Sequence, residues 1–307
     1  MHVAYSHHEY AAHGKGHTMK PASILRSALF VPGTRLEILP KADAAKPDAV
    51  ILDLEDAVPV QGKAKAREAV AAVLRARADR LTFVRINHPA HNMVDEDVAI
   101  LAPHGSQAVI LPKLESVSDV EIVDRAIAAF ELRNGLADCS IGLIVVVESA
   151  SGLHVLFDAL GASQRICGAA LATAEEGDLL ADIGGRWTPE GEALSYCRGK
   201  FVCDARAARV SWLLDGAFMA LDNDAALERE TQLARTYGFT GKIAVHPRQV
   251  PGINAAFAPT SSEIARARRM LEAFRAAEAR GLAAIKFEGM MVDYANAKIA
   301  ERLLSGA

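Results

Sequence analysis

From Ile24 onward the chain alternates between two kinds of segment, and no other feature restricts its fold as strongly. Short aliphatic and β-branched runs occur at residues 28–31, 49–54, 81–86, 108–111, 141–147, 165–169, 216–221 and 242–245. Most are almost continuously apolar, as expected of strands covered on both faces in a parallel sheet. Between them stand Ala-, Arg- and Glu-rich stretches, as at 63–78, 119–133 and 225–237, with apolar residues at helical spacing. Eight strand-like runs separated by helix-like ones, within roughly 250 residues, predict an α/β fold of the (β/α)8 TIM-barrel type. A doubly wound open sheet is the competitor, but no Gly-x-Gly-x-x-Gly follows the first run. Beyond the eighth run, residues 260–280 read as a long amphipathic helix begun by Ser261 and Ser262, with Glu263 nearby for the cap. The tail at 287–304 is an appendage to that barrel.

Composition narrows the partners. Of 307 residues, 51% are hydrophobic and 23% charged, which excludes a disordered, collagen-like or disulfide-scaffold chain. The net charge is -4 with no basic block, so nucleic acid is not an expected partner. No apolar run approaches the ~18 residues of a membrane span, and no signal-type apolar segment opens the chain. Cys139, Cys167, Cys197 and Cys203 show no C-x-x-C spacing, which argues against a zinc ribbon or redox pair. A reduced, cytoplasmic protein is expected. Half of the ten histidines (His2, His7, His8, His13, His17) crowd into the first seventeen positions, in a segment without apolar periodicity. Residues 1–22 are therefore expected to be a disordered leader, with Met19 an alternative start. The barrel is expected over 23–258 and a C-terminal helix with its appended segment over 259–307.

A barrel places its chemistry at the carboxyl ends of the strands. The first run ends in Pro32-Gly33-Thr34-Arg35 and the second in Asp53-Leu54-Glu55-Asp56. The third contains Arg85, the fourth ends at Lys113 and the fifth at Glu148. Glu175, Glu176 and Asp178 follow the sixth, and His246-Pro247 follows the eighth. Carboxylates converging from several strands suit a hard cation such as Mg²⁺, with Mn²⁺ as the alternative. Arginines nearby suit an anionic substrate. Glu148 closes an apolar run, where an acid is costly unless ligated or paired, so a metal ligand is the favoured reading. Arg85 sits inside an apolar strand pattern; catalysis or a buried ion pair with Asp53 or Glu55 would each explain it. Asp53, Glu55 and Asp56 fit an outer layer that orients Arg85 and metal-bound water. Arg35 and Lys113 suit phosphate or carboxylate binding, or a charged rim. His246 is either a general base or a histidine hydrogen-bonded at the barrel mouth. No Gly-x-Ser-x-Gly elbow is present, and Gly238 to Lys242 is too short for a P-loop. A Schiff-base role for Lys113 would need a desolvated setting, which the surrounding carboxylates disfavour.

Taken in order, Arg26-Ser27-Ala28-Leu29-Phe30-Val31-Pro32-Gly33, Ile51 to Val58, Val84-Arg85-Ile86-Asn87 and Leu111 to Ser116 resemble the citrate lyase β-subunit-like group of the HpcH/HpaI aldolase superfamily. Glu148 to Leu153 and Gly241 to Pro247 extend the resemblance, which runs from about residue 24 to 304. It implies a Mg²⁺-binding TIM barrel, commonly a homotrimer, that cleaves or forms C–C bonds in 3-hydroxyacyl thioesters. Arg85 then matches the catalytic arginine, and Glu148 and Asp178 match the metal carboxylates; a solvated acidic loop is the plain alternative for Asp178. Gly177 stands where the family more often has an acid. Asp293 matches the aspartate of a C-terminal lid that closes over a neighbouring subunit, and is expected to transfer the proton. Arg35 and Lys41 are expected at the phosphates of coenzyme A. A stand-alone lyase of citramalyl-CoA or malyl-CoA is the first expectation. The β subunit of a citrate lyase acting on citryl-carrier protein, and a non-catalytic acyl-CoA-binding barrel, are the alternatives.

Overall fold

A computed structural model of the chain describes residues 24–103 and 108–305; the leader expected at 1–22 lies outside them. Eight parallel strands close into a barrel. They are β1 (Ser27–Pro32), β2 (Ala49–Asp53), β3 (Thr82–Arg85), β4 (Ala108–Leu111), β5 (Gly142–Val147), β6 (Ile166–Leu171), β7 (Trp212–Asp215) and β8 (Gly241–Ala244). Each pairs with the next, and β8 returns to β1 through Ala28 opposite Ile243. The helices of the barrel portion are α1 (Leu39–Ala44), α2 (Lys63–Ala76), α3 (Val94–Ala99), α4 (Val117–Arg133), α5 (Ala150–Gly161), α6 (Asp178–Asp182), α7 (Ser195–Ala207), α8 (Asp224–Tyr237) and α9 (Val250–Phe257). Among the described residues no helix is long and apolar enough to cross a membrane.

The period of two along each strand sorts the apolar side chains into two cores. Ile51, Phe83, Ile110, Ile144, Ala170, Leu214 and Ile243 fill the barrel interior, where the Phe83 and Trp212 rings lie 5.7 Å apart. Their neighbours Val50, Leu52, Val84, Val109 and Leu213 face outward and pack under the helices. Burial on both sides is why the runs read as nearly unbroken apolar sequence.

The seventh strand departs from expectation. The sequence placed it at 216–221, whereas the sheet uses Trp212–Asp215. Asp215 can close the strand because its carboxylate is buried and neutralised by Lys242 on β8, at 2.6 Å. The run beginning at Gly216 leaves the sheet instead.

The C-terminal segment forms α10 (Ser261–Glu278), a hairpin of β9 (Ala284–Phe287) and β10 (Met290–Asp293), and α11 (Tyr294–Ser305). Thr260, one residue before the expected cap, caps α10 with Glu263 in a reciprocal box. Glu288 and Gly289, both at positive φ (48° and 84°), turn the hairpin in the two-residue manner that suits the strand twist. Met270, Leu271, Phe274, Val292 and Ala300 make a small separate core.

Candidate active site

Strand register builds the centre. Asp53 and Arg85 are aligned partners at the ends of β2 and β3. Arg85 donates from Nε and Nη2 to the two Asp53 oxygens, each at 2.7 Å, while Nη1 lies 3.1 Å from Glu55. This planar fork fixes the guanidinium, which also lies over the Phe30 ring at 4.6 Å. Burial by itself would lower the Arg85 pKa. The hydrogen bonds and charge of Asp53, with Glu55 and Glu148, outweigh it and push it above the ordinary arginine value. Asp53 further accepts the backbone N–H groups of Glu55 and Ala57. Lys63, buried under this loop, donates to the carbonyls of Leu54 and Glu55, both at 2.8 Å, and to Asn87.

Lys113 ties the next strands in. Its Nζ reaches Glu55 at 2.7 Å and Asp56 at 2.9 Å, and its backbone N–H donates to Glu148 at 3.1 Å. Lys113 has φ 50°, an uncommon conformation for a long side chain of the kind found where function over-determines the backbone. Glu148 follows β5, and burial pushes its carboxyl up to about 7 against the opposing pull of Arg85. Burial raises Glu55 as well, despite Arg85 and Lys113.

Glu148, Asp178, Arg85, Asp56 and Phe30 line one cavity of about 260 Å³, whose wall continues into Ile110, Ile144, Val146, Leu214 and Ile243 of the barrel interior. The Asp178 carboxylate has no hydrogen-bond or ion-pair partner among the described residues. Five carboxyl groups (Asp53, Glu55, Asp56, Glu148, Asp178) stand with only two cationic side chains (Arg85, Lys113). No group of three or more His, Cys, Asp or Glu among the described residues forms a ready metal cage. Mg²⁺ does not need one, because it takes one or two carboxylates and completes its octahedron with waters and substrate oxygens. Glu148 with the unpartnered Asp178 fits that donor set; Zn²⁺, which prefers four side chains, would not be served.

Other expected residues stand elsewhere. Arg35 pairs with Glu37 at 3.5 Å on the surface, and Lys41 is exposed on α1. His246 accepts the Arg248 N–H through Nδ1, capping the turn at Pro247–Gln249, and does not line the cavity. Asp293 accepts the N–H groups of Ala295 and Asn296 at the start of α11, and it too is absent from the cavity lining. Sequence reasoning missed Lys63, Phe30 and the buried set Thr173, Asp215 and Lys242. The only signal for the last was a charge on each of two neighbouring strands.

Gly152 accounts for part of the Glu148–Leu153 motif. A Cβ there would stand 2.0 Å from the Leu114 carbonyl oxygen, so the first turn of α5 lies directly on the residue after Lys113. Gly152→Ala is expected to cost about 1–3 kcal/mol of stability by overpacking, read from urea midpoints. An unchanged midpoint would disprove the close approach.

A model of the HpcH/HpaI aldolase/citrate lyase family matches residues 26–247. The chain belongs to that family. A second model, C–C bond lyase of the TIM-barrel fold, matches residues 200–307. Among its relatives, the citrate lyase subunit beta-like protein of Deinococcus radiodurans is 32% identical over 291 residues, covering 93% of this chain and 98% of the relative. A (3S)-malyl-CoA thioesterase of Cereibacter sphaeroides is 30% identical over 285 residues, covering 92% and 94%. The crystal structure of CitE from Mycobacterium tuberculosis with magnesium, acetoacetate and coenzyme A superposes with a TM-score of 0.72 at 29% identity, covering 93% of this chain and 99% of that one. The fold is the TIM barrel expected, and the family is one of carbon–carbon lyases.

Proposed function

We propose that the chain is a Mg²⁺-dependent lyase that cleaves a 3-hydroxyacyl-CoA thioester of the citramalyl or malyl type. The products are acetyl-CoA and a 2-keto acid, pyruvate or glyoxylate. One observation carries the reading: Glu148 and Asp178 share a cavity with a guanidinium locked in place, over an apolar wall that continues into the barrel. The names of the relatives, which include a malyl-CoA enzyme and a CitE complex with magnesium and coenzyme A, support the substrate class and the cation.

Glu148 and Asp178 would hold the cation, which would supply Lewis-acid chemistry to the substrate when bound. Arg85 donates to the oxygen on which negative charge gathers, and its fork to Asp53 leaves no reorganisation to be made as the charge grows. The hydroxyl gives its proton to solvent water, its oxygen becomes the carbonyl of the 2-keto acid as the C–C bond breaks, and the electron pair of that bond moves to the carbon beside the thioester. That carbon then takes a proton returned from solvent, a transfer we assign to Asp293. Because Asp293 lies on the C-terminal hairpin, outside the cavity of its own chain, it would be supplied by a neighbouring copy in a homo-oligomer, a trimer on this reading. Arg35 and Lys41, exposed after β1, are assigned to the phosphates of coenzyme A.

The test is acetyl-CoA release from a panel of 3-hydroxyacyl-CoA thioesters with Mg²⁺ and with EDTA. Release from citramalyl-CoA or malyl-CoA is expected, falling to background in EDTA. Full activity in EDTA would remove the cation. Free CoA appearing with the acyl skeleton intact would replace cleavage by thioester hydrolysis. No turnover of any thioester, free or on carrier protein, would leave only a binding barrel.

A further inference from the structure

Beside the cavity lies a buried polar cluster that the proposed reaction does not use. Lys242 on β8, wholly enclosed, donates to Asp215 at 2.6 Å and to Glu230 of α8 at 2.9 Å. Arg198 of α7 approaches the other Asp215 oxygen at 3.5 Å. Thr173 donates its hydroxyl to that same oxygen at 3.0 Å and accepts the Gly216 N–H at 3.1 Å. All five side chains belong to residues no more than 5% exposed. Two cations face two anions, so the cluster is balanced and offers no ion site. Burying four charges commonly stabilises a fold less than apolar residues of the same volume would, so stability alone gives little reason for it.

What the cluster does secure is the place of Thr173, two residues beyond β6 and five before Asp178. The path between them is short and braced. The Gly177 N–H closes a turn onto the Ala174 carbonyl at 3.0 Å, Glu176 is held at φ 58°, and Asp178 opens α6. The loop after β7 presses on the same point: a Cβ at Gly216 would lie 2.4 Å from the Thr173 nitrogen. Ala172, Ala174, Gly177 and Gly216 all line the cavity. A shift at Thr173 therefore reaches Asp178 with little slack.

We infer that Thr173, held by the buried Asp215–Lys242 pair, is a positioning residue that sets Asp178 for the divalent cation. The inference rests on the assignment of Asp178 as a metal ligand. Mn²⁺ binding to the substrate-free protein, followed by the loss of the free-ion electron paramagnetic resonance signal, tests it without reference to turnover. Thr173→Val keeps the shape and removes both hydrogen bonds; it is expected to weaken Mn²⁺ binding roughly tenfold, as loss of a residue supporting a ligand does. Thr173→Ser restores the hydroxyl and is expected to bind as wild type. In the double variant with Asp178→Ala, Thr173→Val should add no further loss. Wild-type affinity in Thr173→Val, or a full additional loss in the double variant, would overturn the inference, since a merely structural Thr173 would move the melting temperature alone. An Asp178→Ala protein that binds Mn²⁺ unchanged would instead remove the metal assignment on which it stands. If Thr173→Val does not fold, Thr173→Ala, which leaves room for a water at Asp215, is judged by the same criteria.

Discussion

Glu148→Gln is expected to stabilise the metal-free protein at pH 8 and to abolish its response to Mg²⁺. Without metal, burial holds the Glu148 carboxyl near 7, against an ordinary value of 4.5. The folded state thus binds this proton more tightly than the unfolded chain. The resulting stability is fully present below pH ~4.5 and is lost as the pH rises through about 7. The interval corresponds to about 3 kcal/mol, as an order of magnitude. Glutamine mimics the neutral acid and cannot titrate, so the two proteins should be alike at pH 5 and diverge toward pH 8. Glu55 and Glu230 also titrate upward, so the difference between the proteins, not either curve alone, carries the test. Proton and cation compete for one carboxylate, so the wild-type affinity for Mg²⁺ should fall about tenfold per pH unit below 7. Loss of this ligand should lower the lyase rate roughly 10²–10³-fold. Parallel denaturation curves from pH 5 to 8 would disprove the buried-acid account. Equal stabilisation by Mg²⁺ would show that Glu148 is no ligand.

The barrel was legible because its strands are covered on both faces, and so seven of the eight announced themselves as apolar runs. The exception, β7, was displaced by a few residues for a physical reason: Asp215 is tolerated in a strand because Lys242, 27 positions away, neutralises it. Nothing local in Trp212 to Asp215 carries that information. The strand-end rule found Arg85 and Glu148 and left Asp178 among neighbouring acids, from which the family resemblance singled it out; the structure gathers Arg85, Glu148 and Asp178 on one cavity. The same rule could not tell a strand-end charge that faces the cavity from one spent on its neighbours. His246 serves its own turn through Arg248, and the Lys113 ammonium is occupied by Glu55 and Asp56. The position of Asp293, on a hairpin with its own small core, depends on packing between segments that periodicity does not describe.

Arg85→Lys should be among the most damaging substitutions that conserve charge. An ammonium cannot span both Asp53 oxygens and Glu55 while staying over Phe30, so the charge survives and the placement does not. Losing one preorganised donor of this kind costs roughly 10²–10³ in kcat, about 3–4 kcal/mol of transition-state stabilisation. Arg85→Met should do that and also strip the partner from Asp53, which is 1% exposed. Removing one side of a buried pair costs about 3–5 kcal/mol of stability, and the lower end applies because Asp53 keeps its two backbone N–H donors. Adding Asp53→Asn to Arg85→Met should recover much of the stability, since no unpaired charge is left, and none of the activity. Urea midpoints and kcat for the two single variants and the double therefore separate the two roles of one guanidinium. If Arg85→Lys turns over at the wild-type rate, the fork to Asp53 is structural only and the charge-stabilising role belongs to another group. If the double variant recovers activity with stability, Arg85 served the fold and not the reaction.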